Sequence, residues 1–159
     1  SFPTRRSSDL SSMAAGYWRD GQLLSLTNNE GWFATRDRGA LHNGRLTVVG
    51  RLDNLFFSGG EGIQPEEVER VILAHPQVQQ VFIVPLDDAE YGQRPVAVVE
   101  CDDGCELSAL AAWSAERLAR FQQPVRWLRL PETLKNGGIK ISRRALCEWV
   151  RQQTHATVS

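Results

Sequence analysis

The stretch Gly50-Arg51-Leu52-Asp53-Asn54-Leu55-Phe56-Phe57-Ser58-Gly59-Gly60-Glu61-Gly62-Ile63-Gln64-Pro65-Glu66-Glu67-Val68-Glu69 divides the chain. It runs from a charged turn, through an apolar run and a glycine cluster, into a helix start. Pro65 suits the first helical position, where its missing N–H would have no partner anyway. Glu66, Glu67 and Glu69 favour the positive end of a helix dipole. Gly59, Gly60 and Gly62 let the backbone take positive φ and come close to something that side chains would block. The stretch reads as a joint between two units, with the boundary at about Asp53 and a close-approach loop beside it.

Ahead of the joint the patterns are those of strands and turns. Tyr17-Trp18 opens an apolar patch and Asp20-Gly21 signals a turn. Gln22 to Thr27 and Trp32 to Thr35 are short strand candidates. Asn43-Gly44 lies between Gly39-Ala40-Leu41-His42 and Arg45-Leu46-Thr47-Val48-Val49, a hairpin signal, because type I′ turns need positive φ at both central residues. This part is too short to form a domain alone, and its edges would need a partner sheet.

Behind the joint, helix and strand patterns alternate. Pro65 to Ala74 carries Val68, Val71 and Ile72 on one face and stops at His75-Pro76. Val81 to Val84 and Pro95 to Val99 are buried-strand candidates. Leu107 to Arg120 predicts a helix with Leu107, Leu110, Ala111 and Leu118 inward. Val125 to Leu130 alternates like a strand. Ser142 is an N-cap candidate for a last helix with Ala145, Leu146, Trp149 and Val150 on its apolar face. The expected class is α+β, a mixed sheet with helices over 53–153 behind a β-rich segment 13–52, with 154–159 as a tail.

Residues 1–10 carry no periodicity and resemble the translation of a sequencing-adapter oligonucleotide. Residues 1–12 are therefore expected to be a non-native leader on a truncated reading frame.

With 159 residues and a 42% apolar fraction, the chain is long enough for a core. A net charge of -1 gives no reason to expect nucleic acid or anionic lipid as a partner. No apolar run approaches membrane-spanning length. Cys101, Cys105 and Cys147 lack metal-site spacing and suggest a reducing compartment, the cytoplasm. Only Lys135 and Lys140 are lysines among 18 basic residues.

Lys140 follows Lys135-Asn136-Gly137-Gly138-Ile139, a polar glycine loop. An ammonium there can meet a phosphate or carboxylate as a point charge, although loop lysines are usually only solvated. Asp37 lies in a turn after a strand and could accept two hydrogen bonds from a sugar diol. Its neighbours Arg36 and Arg38 offer a plain ion-pair explanation instead. Arg51 could hold phosphate or ribose or lie idle on the surface, and Asp53 could be a hinge or a turn former.

Taken in order, aromatic-x-Thr-x-Asp, Gly-Arg-x-Asp, Ser-Gly-Gly-x-x-Ile-x-x-x-Glu-Val-Glu and Asn-Gly-Gly-Ile-Lys-Ile-Ser-Arg resemble the C-terminal third of the adenylate-forming acyl-CoA ligase superfamily. The resemblance covers almost everything from about residue 13 to 153. It implies a mobile small domain behind the end of a large N-terminal one, ATP with Mg²⁺ and CoA as co-substrates or ions, and an acid that is activated as its adenylate. By the same resemblance Asp37 would hold the ribose hydroxyls, Arg51 the ribose or phosphates, and Asp53 would be the hinge. Lys140 would stabilise the α-phosphate during adenylation. Ser58, Gly59, Gly60 and Glu61 would then line the pantetheine channel for thioester formation. The Mg²⁺ ligand, phosphate loop and acyl pocket would lie in the large domain upstream. The runs Leu134 to Arg143 and Arg120 to Leu128 are most similar to the branch that serves menaquinone biosynthesis, which implies an aromatic carboxylic acid as substrate. The superfamily loop is usually Gly-Lys, whereas here it is Gly-Gly-Ile-Lys, so Lys135 and Lys140 compete for the adenylation role. The following Ile-Ser-Arg favours Lys140. Other expectations are a different acyl- or aryl-CoA ligase, a peptide-synthetase adenylation domain, or a non-catalytic α+β interaction module.

Overall fold

The computed structural model describes residues 2–7, 14–135 and 141–155. The chain divides into two compact units, Ser1–Asp53 and Asn54–Ser159.

The first unit is all β. Strands β1 (Phe2–Ser7), β4 (Trp32–His42) and β5 (Arg45–Arg51) form an antiparallel sheet in the order β1-β4-β5. Strands β2 (Gly16–Arg19) and β3 (Gln22–Ser25) form a separate ribbon. Both hairpins turn as their sequences dictate: Asp20 and Gly21 have φ 51 and 78, and Asn43 and Gly44 have φ 50 and 76.

Phe2–Ser7, in the segment without periodicity, is a strand on the β4 edge. An open edge presents unpaired N–H and C=O groups to any extended segment, whatever its side chains. Asp37 does not sit in a turn; it lies inside β4, opposite Arg51. The strand survives because Arg36 takes a left-handed φ of 58, which kinks it without ending it.

The second unit holds the core. Strands β8 (Val78–Asp88) and β9 (Gly92–Cys101) pair antiparallel along their whole lengths. β10 (Arg126–Arg129) joins β9 in parallel. The small hairpin of β6 (Phe56–Ser58) and β7 (Glu61–Ile63) attaches through Ser58 opposite Gly92. β9 is therefore central, and Val96, Ala97, Val98 and Val99 are all fully buried.

Side chains alternate across a strand, so those four residues face two cores. Ala97 and Val99 pack with Ile63, Val68, Ile72 and Leu110 under α1 (Pro65–Leu73) and α2 (Leu107–Ala115). Val96 and Val98 pack with Leu146 and Val150 of α4 (Arg143–His155). Each such Val, Ile or Leu contributes about 1.5–3 kcal/mol. A four-residue helix, α3 (Glu132–Lys135), precedes the segment 136–140. α2 ends at Ala115, earlier than its predicted Arg120. There the chain turns through the Leu118 N–H to Ser114 carbonyl bond, which sends Leu118 into the core.

Every buried apolar side chain among the described residues belongs to the second unit. In the first unit Tyr17, Trp18, Leu41 and Val48 are each at least 61% exposed. Among the described residues no helix is long and apolar enough to cross a membrane.

Candidate functional site

Three of the residues singled out in the sequence meet in the first unit. Cross-strand pairing sets Arg51 opposite Asp37, with Nη1 3.9 Å from Asp37 Oδ1. Arg51 Nη2 donates to Asp53 Oδ2 at 3.3 Å. Arg36 completes the network, with Nε 2.7 Å from Asp53 Oδ1. Its backbone is left-handed, with φ 58. The backbone N–H of Asp37 donates to Thr35 Oγ1 at 3.3 Å, which steadies the kink. Two carboxylates and two guanidiniums thus form a charged, half-exposed shelf at the last residues before the joint. Such a shelf offers acceptors to a diol and cations to a phosphate.

Asp53 and Asn54 are neighbours in sequence but are tied to different units. Both Asp53 oxygens are held by arginines of the first unit. The Asn54 side-chain amide donates to Glu66 Oε1 in the second, and Gln64 Nε2 donates to Glu66 Oε2 at 2.6 Å. Burial pushes the Glu66 carboxyl up, but the bonds from Gln64 and Asn54 outweigh it and hold it below its ordinary value. Sequence reasoning missed Asn54, because its partner is 12 residues away on α1.

Ser58-Gly59-Gly60-Glu61 is a two-residue hairpin rather than an open loop. Gly59 and Gly60 have φ 58 and 86. Gly59 N–H donates to the Tyr91 carbonyl at 2.9 Å, and a Cβ on Gly59 would come within 3.1 Å of the Tyr91 ring. A Cβ on Gly60 would meet nothing. Ser58 is buried, while Glu61 and Phe57 are exposed. The hairpin tip therefore presents bare backbone beside an aromatic ring, over which Arg94 Cζ sits 4.5 Å from the ring centre.

Lys140 lies in 136–140, outside the described residues. Both flanks of that segment are anchored. Before it, the Lys135 ammonium lies 2.8 Å from Glu100 and 2.6 Å from Glu132, and these bonds, Glu100 first, raise its pKa. After it, Arg143 Nη1 reaches Glu69 Oε1 at 2.7 Å and the Ile83 carbonyl at 2.6 Å, and Nη2 reaches Glu69 Oε2 at 3.2 Å. The Glu69 carboxylate also accepts the Ile83 N–H at 2.7 Å. This clamp was missed as well. Arg143 and Glu69 each stand in a motif of the resemblance, but nothing local joins two residues 74 apart.

No group of three or more His, Cys, Asp or Glu that could hold a metal gathers among the described residues. The carboxylates on the charged shelf are paired with arginines and do not suit Mg²⁺.

Residues 67–140 match the family model described as AMP-binding enzyme C-terminal domain. The 2-succinylbenzoate–CoA ligase of Escherichia coli (strain K12) is 72% identical over 142 residues, covering 89% of this chain and 31% of that protein. The enzyme of the same name from Haemophilus influenzae is 48% identical, over 89% of this chain and 32% of its own length. Among solved structures, a variant of E. coli MenE with bound OSB-AMS superposes with a TM-score of 0.82 at 64% identity, over 95% of this chain and 35% of that one. The chain spans about a third of the length of these relatives.

Proposed function

On the premise that the chain belongs to the AMP-binding enzyme C-terminal domain family, we propose that it is the C-terminal part of an o-succinylbenzoate–CoA ligase. The whole enzyme joins o-succinylbenzoate to CoA at the expense of ATP, releasing AMP and pyrophosphate, in menaquinone biosynthesis in the cytoplasm. The observation that carries the reading is the convergence of Asp37, Arg51 and Asp53 on one charged shelf at the joint.

In the first half-reaction a carboxylate oxygen of the acid attacks the α-phosphorus of ATP, and the bond to pyrophosphate breaks. Negative charge builds on the α-phosphate oxygens, and the Lys140 ammonium stabilises it there. Asp37 accepts the ribose hydroxyls, and Arg51 holds Asp37 and Asp53 in register. The ribose is thereby fixed while the phosphate reacts. Lys135 is occupied by Glu100 and Glu132, which supports Lys140 in this role.

In the second half-reaction the CoA sulfur attacks the adenylate carbonyl and AMP leaves. Gly59 and Gly60 give the thin pantetheine arm a side-chain-free wall. Rotation at Asp53 exchanges the Lys140 surface for this one. The acyl pocket and the Mg²⁺ ligand belong to the rest of the enzyme. The identity of 72% with a 2-succinylbenzoate–CoA ligase, against 38% with a 4-chlorobenzoate–CoA ligase from Pseudomonas, favours succinylbenzoate over other aryl acids.

The test is pyrophosphate release by the full-length protein encoded at this locus. With ATP and o-succinylbenzoate it should exceed release with 4-chlorobenzoate by at least about a hundredfold. Equal rates would overturn the substrate assignment. No release with any acid would overturn the ligase reading.

A further inference from the structure

Two of the three free cysteines lie together at the end of β9, in a setting the ligase reaction does not use. Cys101 is the last residue of β9 and half-buried, and Cys105 is 2% exposed. Both pack on the same core cluster. The chain folds back between them: Asp102 N–H donates to the Gln77 carbonyl at 3.1 Å, and Cys105 N–H donates to the Asp102 carbonyl at 2.9 Å. That turn sets Cys105 back beside the end of β9. One guanidinium grips both ends. Arg129 Nη1 donates to Cys101 Sγ at 3.4 Å, and Nη2 donates to the Cys105 carbonyl at 2.6 Å.

We propose that Cys101 and Cys105 are a peroxide-oxidisable dithiol, with Arg129 as the counter-ion of the attacking sulfur, which closes to an intramolecular disulfide. The inference is independent of the ligase reading. The partly exposed Cys101 meets the peroxide first. Its sulfur anion attacks one peroxide oxygen, the O–O bond breaks, and the other oxygen leaves as hydroxide, or as alkoxide from an alkyl peroxide. Cys101 is now a sulfenic acid. The Cys105 sulfur then attacks the Cys101 sulfur. The S–S bond forms, the S–O bond breaks, and the departing hydroxide takes the Cys105 proton as water. The peroxide supplies the two-electron oxidation. Burial, and then the neighbouring Cys101, push the Cys105 thiol up to about 11, so it reacts as a held thiol whose advantage is proximity. Cys147 lies on α4, in the other core cluster, and has no cysteine beside it.

The experiment treats the purified chain with hydrogen peroxide, alkylates the remaining thiols and digests with trypsin. Both cysteines fall in the peptide 71–117, and Cys147 falls in 145–151. The expected result is a 71–117 peptide two hydrogens lighter than the reduced form, with Cys147 still alkylated, restored by dithiothreitol. Cys105→Ser should leave a sulfenic acid at Cys101 that dimedone traps. Arg129→Met should slow disulfide formation by about tenfold, with far-UV circular dichroism checking that the fold is kept. Over-oxidation of Cys101 without a disulfide, prior loss of Cys147, or linkage only between chains would overturn the proposal.

Discussion

Arg143 and Glu69 form a forked ion pair, with Nη1 2.7 Å from Oε1 and Nη2 3.2 Å from Oε2, although 74 residues separate them. The pair fastens the first residue of α4 to α1, and through the Ile83 carbonyl to β8. Arg143, two residues beyond Ile141, is thereby a fixed point. Under the proposed function, a lysine that must find a developing charge benefits from a rigid end nearby.

Removing one partner of this pair leaves the other charge mostly buried. Arg143→Met should destabilise the protein by about 2 kcal/mol, discounted from the value for a fully buried pair because both side chains keep some solvent contact. In a unit of this size that lowers Tm by about 10 °C. Arg143→Lys, which keeps the charge and loses the fork, should fall between. Thermal unfolding of both variants checks the ordering, and identical Tm values for Lys and Met would contradict it.

The shelf residues should behave in the opposite way. Arg36 and Arg51 are 66% and 53% exposed at their side chains, so their pairs add little stability. Asp37→Ala should change unfolding free energy by less than about 0.5 kcal/mol, while weakening ATP binding by the full-length enzyme at least about tenfold. Denaturant titration and nucleotide-binding calorimetry read the two effects separately.

Much of this was legible in the sequence, and the failures have physical causes. The two-residue turns declared themselves because Asn43-Gly44 and Asp20-Gly21 are types that accept positive φ. The apolar runs around Val81 and Val96 gave the paired strands, since both faces of β9 are covered. Asp37, Arg51 and Asp53 were each weak alone, and only the β4–β5 register shows that they share one network. The kink at Arg36 made one strand look like two with a turn between. Asn54–Glu66 and Arg143–Glu69 were illegible, because a side-chain bond between distant residues leaves no local pattern.

Burial raises the Glu66 carboxyl, but the bonds from Gln64 and Asn54 outweigh it and hold it below its ordinary value in the folded protein. Its stabilising contribution is therefore fully present above the unfolded value and is lost as pH falls through the lower folded one. Glu66→Gln should be less stable than the parent at pH 7, by about 1 kcal/mol, and the difference should shrink below about pH 4. Urea titrations at pH 7, 5 and 3 test the sign. A gap that widens on acidification would contradict the assignment.

The two glycines of the hairpin should separate by their surroundings. Both have positive φ, so an alanine at either is strained by about 1 kcal/mol. Gly59→Ala also crowds the Tyr91 ring, whereas Gly60→Ala opens onto free space. In the full-length enzyme both should slow thioester formation more than adenylation, and Gly59→Ala should also lower Tm further. Rapid-quench measurement of each half-reaction decides the first point, and a calorimetric scan decides the second.

Under the proposed function one small domain serves the two half-reactions with different surfaces, and Lys140 belongs to the first alone. The most direct measurement uses full-length Lys140→Ala supplied either with ATP and o-succinylbenzoate or with presynthesised acyl-adenylate and CoA. Adenylation should fall by about a hundredfold or more, while thioester formation from the adenylate stays within about threefold of the parent. Equal loss in both reactions, or unimpaired adenylation, would contradict the account.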